Sequence, residues 1–284
     1  MHANRNRVHR SLWSATAFGA LSITLAALPL PVSGQLMQLD ADPIVVAPHP
    51  KAHGKTAQIT PMISWVDSNV PVRGYLLCVH GLGLHKGTYH QFGERMAKLG
   101  WGVYACDIRG FGSFLKIGVN KTVDFEGCLA DVKGALEMVH ASNDGKPVFI
   151  VGESMGGAIA LRIASLYPEL ISGLISSVPA GERYHQAGDS LKVGFKMLTG
   201  PKRNMDVKQM VVDRSTDKAE LKEEWLNDSL ARFELSPIEL MKFQHFMSEN
   251  HKAARKITST PVLMIQGQND KLVKHEGNAH LIQE

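Results

Sequence analysis

Between residues 75 and 177, short apolar runs alternate with amphipathic segments, and this rhythm constrains the fold more than any other feature of the chain. The runs are Tyr75-Leu76-Leu77-Cys78-Val79-His80, Val103 to Cys106, Val148 to Val151 and Ile171 to Ser177. The first is a short, continuous apolar run, the pattern of a strand buried on both faces, and the others are short strand candidates. Between them, Tyr89, Phe92, Met96 and Leu99 recur at helical spacing, as do Phe125, Leu129, Val132, Leu136 and Val139. A third helix is expected over Met155 to Leu166, with Pro168 marking its end. Strands alternating with helices predict a mostly parallel sheet with helices on both faces, an α/β fold. Right-handed crossovers then bring every strand's C-terminal end to one edge, where sites form.

The rhythm breaks at Ala180 and resumes at Val262 to Ile265. Residues 181–258 hold no good strand. They hold an amphipathic segment from Lys218 to Phe233, a second helical candidate from Pro237 to Glu249, and several methionines. This segment is expected to be a helical cap over the C-terminal edge of the sheet. The core is thus divided into residues 57–180 and 259–284, with 35–56 an extended lead-in. Residues 1–34 begin with Arg5, Arg7 and Arg10, continue through an apolar run from Leu12 to Leu28, and end in Val32-Ser33-Gly34. That order describes a signal peptide, and hence a secreted or periplasmic protein; an uncleaved membrane anchor is the alternative.

Charge narrows the partners. The formal net charge is +4, and those three arginines supply most of it. A near-neutral body without a basic run argues against nucleic acid. Cys78, Cys106 and Cys128 are an odd number without metal-ligand spacing, and are expected as buried thiols.

Chemistry concentrates at Gly152-Glu153-Ser154-Met155-Gly156, a G-x-S-x-G between an expected strand and an expected helix. A sharp strand-to-helix turn would expose the Ser154 hydroxyl above the sheet edge, with a helix N-terminus behind it. The flanking glycines remove side chains that would clash in so tight a turn. The backbone amide of Met155 is one expected oxyanion donor. The amide of Leu82, in the loop His80-Gly81-Leu82-Gly83, is the other. His80 is expected to pack structurally beneath that loop. Asp270, just past strand 262–265, suits the acid of a Ser…Asp…His order, and that order favours the acid role over a plain turn aspartate. The base is the gap. His275 and His280 fall near the start of the next crossover helix, and the chain reads as truncated before its last strand.

These residues resemble the α/β-hydrolase superfamily, in its monoacylglycerol lipase and lysophospholipase branch. The resemblance runs through His80 to Tyr89, Asp107-Ile108-Arg109-Gly110-Phe111-Gly112-Ser113, Gly152 to Gly157, Trp225-Leu226-Asn227-Asp228 and Pro261 to Asp270. It implies a serine ester hydrolase acting on a single-chain lipid ester such as a monoacylglycerol or lysophospholipid. Ser154 would be acylated, Leu82 and Met155 would hold the oxyanion, and Asp270 would orient a histidine. No cofactor and no metal are implied, and a membrane surface is a further expected partner. A non-catalytic acyl-ligand binding protein and a serine peptidase on the same scaffold are the alternatives.

Overall fold

The structure is a computed structural model that describes residues 37–39, 60–118, 120–179, 193–194 and 196–283. The signal or anchor expected over 1–34, most of the lead-in, and the beginning of the cap lie outside these residues.

Seven strands form one sheet. They are β1 (Met37–Leu39), β2 (Met62–Val66), β3 (Gly74–Val79), β4 (Trp101–Cys106), β5 (Val148–Glu153), β6 (Gly173–Ser177) and β9 (Val262–Ile265). Their order is β1-β2-β4-β3-β5-β6-β9. From β4 through β9 all neighbours are parallel, whereas β1 and β2 join antiparallel at one edge. The expected α/β architecture is therefore present.

The apolar run of β3 is buried along its whole length. Tyr75, Leu77 and Val79 face one layer, with α3 (Phe125–Ala141) and α4 (Met155–Leu166). Leu76 and Cys78 face the other, with Trp65 and α1 (His90–Lys98). Alternate residues thus serve two cores, which is why the strand shows no polar alternation. Two further short helices are α2 (Ser113–Ile117) and α8 (Asn250–Ala254). The three cysteines are buried, free thiols. Burial pushes the Cys106 thiol well above its ordinary value, outside the reactive range, and that of Cys128 up to about 12.

The inserted segment corrects two expectations. Residues 181–258 do contain strands: β7 (Met205–Asp206) and β8 (Glu234–Leu235) pair antiparallel. Runs this short leave no periodicity to read. The helix expected over 218–233 is α6 (Ala219–Asn227), preceded by α5 (Lys208–Ser215). It stops because Asp228 turns the chain, accepting from the Leu230 amide at 2.7 Å. The helix from Pro237 is α7 (Pro237–Ser248). Pro237 opens it behind a capping box in which Ser236 and Glu239 bond reciprocally, so its start is locally encoded. The last helix, α9 (His275–Gln283), buries Leu281 in the core. Among the described residues no helix is long and apolar enough to cross a membrane.

Candidate active site

Ser154 joins β5 to α4 at φ 50° and ψ −110°. A positive φ is strained for a residue with a Cβ, and such strain persists only where neighbours enforce it. The Ser154 amide donates to Ser177 O at 2.8 Å, and the Ala158 amide donates to Ser154 O at 3.0 Å. The glycines leave no room for side chains. A Cβ on Gly152 would lie 2.2 Å from Gly156 O, and one on Gly156 would lie 2.0 Å from Val79 O. The nucleophile-like turn therefore depends on backbone-to-backbone contact between β3, β5 and α4. Ser154 is half-buried, and Met155 behind it is fully buried.

The loop after β3 lies against this turn. A Cβ on Gly81 would come 3.8 Å from Ser154 Cβ and 3.6 Å from Glu153 O. Leu82 follows and is buried. His80 is fully buried beneath the loop, with Nδ1 2.8 Å from Gly81 O and Nε2 accepting from the Ile108 amide at 3.0 Å. Desolvation lowers its pKa to about 4.

Asp270 follows β9, so β6 stands between its strand and the strand of Ser154. Its Oδ1 accepts from the amides of Leu272 and Val273, each at 2.8 Å. Its Oδ2 accepts from Gln266 Nε2 at 3.2 Å, and Gln266 is in turn bonded by Asn278. The structure thus brings Ser154, Leu82, Met155 and Asp270 to one edge of the sheet. Several histidines are committed elsewhere. His85 bonds Asp228, His90 bonds Trp65 and Glu94, His140 bonds Leu170 O, and His275 bonds Gln268 O. None of these groups belongs to the Ser154 turn.

The cap segment after α6 is fastened onto the same loops, which sequence reasoning did not anticipate. His85 Nε2 lies 2.5 Å from Asp228 Oδ2. Burial is the largest single influence and would raise the Asp228 pKa, but His85 and the amides of Leu230 and Ala231 together outweigh it and hold the carboxylate below its ordinary value. The Arg232 amide donates to Gly83 O at 2.8 Å, and Phe233 packs where a Gly83 side chain would stand. Arg232 Nη1 donates to Gly110 O at 3.0 Å, while its guanidinium makes a two-pronged pair with Glu239. Glu239 also accepts from the Val123 amide at 3.1 Å. The only advance signal was the Trp225-Leu226-Asn227-Asp228 stretch; Arg232 carried none.

A second buried network supports the loop from the core side. Asp107 accepts from the Lys86 amide and ammonium and from the Ser113 amide, at 2.7–2.8 Å. Burial opposes its ionisation, yet Lys86 and those bonds keep its pKa below the usual carboxylate value. Among the described residues no group of three or more His, Cys, Asp or Glu is arranged to hold a metal ion.

Comparison with known proteins agrees with this fold. Residues 70–284 match the model of the family described as serine aminopeptidase, S33 (Hydrolase_4). A monoacylglycerol lipase of Mycolicibacterium smegmatis is 23% identical over 218 residues, covering 77% of each chain. A monoglyceride lipase of Mus musculus is 27% identical over 226 residues, covering 78% of this chain and 72% of the mouse protein. Among solved structures, the Paleococcus ferrophilus monoacylglycerol lipase superposes with a TM-score of 0.64 at 24% identity, covering 79% of this chain and 83% of that one. A soluble variant of the Saccharomyces cerevisiae monoglyceride lipase, solved with a substrate analogue, gives 0.66 at 20% identity, covering 84% and 85%.

Proposed function

This chain belongs to the serine aminopeptidase S33 family of α/β-hydrolases, and from that premise we propose that it hydrolyses the carboxylic ester of a monoacylglycerol through an acyl-enzyme at Ser154. The observation that carries the reading is the half-buried serine held at φ 50° against the Gly81 loop. The named lipases among its relatives support the ester and the substrate class.

In this mechanism Ser154 Oγ attacks the acyl carbon and gives up its proton to a base oriented by Asp270. The carbonyl oxygen becomes an oxyanion, received by the amides of Leu82 and Met155. The N-terminus of α4 adds positive potential there. The C–O bond breaks, glycerol leaves with the proton, and water then releases the fatty acid from Ser154. The cap segment anchored by Asp228 and Arg232 would form the wall over the acyl chain. For the amino terminus, residues 1–34 are proposed to export or anchor the chain, which N-terminal sequencing of the exported protein would decide.

The test compares the chain with Ser154→Ala. A fluorophosphonate should label the former and not the latter, and release of fatty acid from a monoacylglycerol should follow the same pattern. A lysophospholipid and an aminoacyl-peptide amide complete the panel. Preferential turnover of either would overturn the monoacylglycerol assignment. Labelling that persists in Ser154→Ala would overturn the nucleophile, and acyl-ligand binding unaffected by that substitution, without turnover, would favour a binding protein.

A further inference from the structure

We propose that Gln266 is the positioning residue of the acid: held from α9 by Asn278, it donates to Asp270 Oδ2 and leaves one acceptor site on that oxygen for the base. The proposal rests on the reading of Asp270 as the acid that orients the base of Ser154.

The place follows from strand register. Glu153, Ser177 and Ile265 stand side by side on β5, β6 and β9. Ser154 and Gln266 are therefore each the first residue past its strand, on the same edge, with β6 between them. Two strand spacings, about 10 Å, separate β5 from β9. Asp270 can act on Ser154 only through the base, so the direction in which its carboxylate is held decides what it does.

The chemistry of each group sets the sense of the relay. A carboxylate only accepts. Asp270 Oδ2 lies 3.2 Å from one end of the Gln266 amide, so that end must be the nitrogen. The same nitrogen has a second hydrogen, and Gly267 O stands 3.4 Å away to receive it. The Gln266 oxygen is then turned to Asn278, which answers with its own amide nitrogen. Turning either amide over would set oxygen against oxygen or nitrogen against nitrogen. Asn278 is only 2% exposed on α9, so its end of the relay cannot swing out into water.

The acceptor sites of Asp270 can now be counted. A carboxylate offers about four. Oδ1 takes two bonds, from the amides of Leu272 and Val273. Oδ2 takes one, from Gln266. Among the described residues the site left over is on Oδ2, and an N–H of the base would bind there. The Oδ1 bonds come from the two residues that follow Lys271 and are those of any turn aspartate. The Gln266 bond differs. It comes from before the turn, is backed by a helix, and holds the oxygen that the turn does not use.

Two substitutions separate positioning from packing. Glutamate matches glutamine in shape and keeps the acceptor for Asn278, but it sets a second carboxylate against Asp270 Oδ2. Leucine loses both bonds and adds no repulsion. In ester hydrolysis Gln266→Glu should lower kcat by about 100-fold and Gln266→Leu by about 10-fold, each with KM within about twofold. Packing alone predicts the opposite order. That order would overturn the proposal, as would wild-type kcat in a folded Gln266→Glu. Nitrogen NMR of the side-chain amides supplies a readout free of turnover. Asp270→Asn keeps an oxygen for the Leu272 and Val273 amides and turns an amide nitrogen towards Gln266, so the resonances of both Gln266 and Asn278 should move. An Asn278 resonance that stays still would overturn the relay even in a chain that hydrolyses esters. A wild type that shows the relay but turns over no ester would instead overturn the acid reading of Asp270.

Discussion

At the scale of single residues, strain and titration make the sharpest predictions. Ser154 holds φ 50° because its neighbours enforce it. Replacing it with alanine keeps the strain, whereas glycine relieves it at some cost in unfolded-state entropy. Ser154→Gly should therefore be more stable than Ser154→Ala by roughly 1 kcal/mol in urea unfolding, and both should be inactive. His80 gives a pH signature. Its folded pKa of about 4 lies below its unfolded value of 6.5, so between the two the unfolded chain binds more protons. Its contribution is present above pH 6.5 and is lost as pH falls towards 4, an effect on the order of 3 kcal/mol in full. Unfolding measured at pH 7 and pH 4.5 should show the slope, and His80→Gln should flatten it.

Elements meet here through glycines and caps, and each contact has a stated cost. The crossing of α4 over β3 depends on Gly156, whose Cβ would lie 2.0 Å from Val79 O and 2.7 Å from His80 O. Backbone on both sides cannot yield as a flexible side chain would. Gly156→Ala should cost at least about 3 kcal/mol and deplete soluble protein, read by thermal melting. The capping box of α7 is a milder case. Ser236→Ala removes the acceptor for the Glu239 amide and should cost about 1 kcal/mol. It also removes the bond that Ser236 Oγ donates to Glu239, so the loss should exceed that of a simple cap.

Across the whole molecule, the question is what joins cap to core. Arg232 reaches Gly110 O, Lys121 O and Glu239, and its side chain is only 16% exposed against 5% for Glu239. Removing the cation alone leaves a buried carboxylate without its partner. Arg232→Met should cost about 3–5 kcal/mol, while Arg232→Met combined with Glu239→Leu should cost less than the single change. A double-mutant cycle by denaturant unfolding checks this, with limited proteolysis reporting whether the cap loosens. Should the double variant lose as much as the two singles together, the pair is not the fastening.

What could be read in advance was local. The parallel strands β3, β4, β5, β6 and β9, the α4 helix from Met155 to Leu166, the turn at Ser154 and the start of α7 at Pro237 all follow from runs, periods, glycines and caps within a few residues of one another. The side-chain period of a strand or helix is a property of the backbone, so it prints directly onto the sequence. The pairings of His85 with Asp228, Arg232 with Glu239, and Gln266 with Asp270 left no comparable mark. The first joins residues 143 positions apart, and such contacts depend on where the fold delivers each side chain rather than on any neighbour in the chain. The two-residue strands β7 and β8 likewise exist only because the tertiary structure sets them side by side. The tautomer of His80 belongs to the same class, decided by Ile108 and Gly81 and by nothing in the order of the residues.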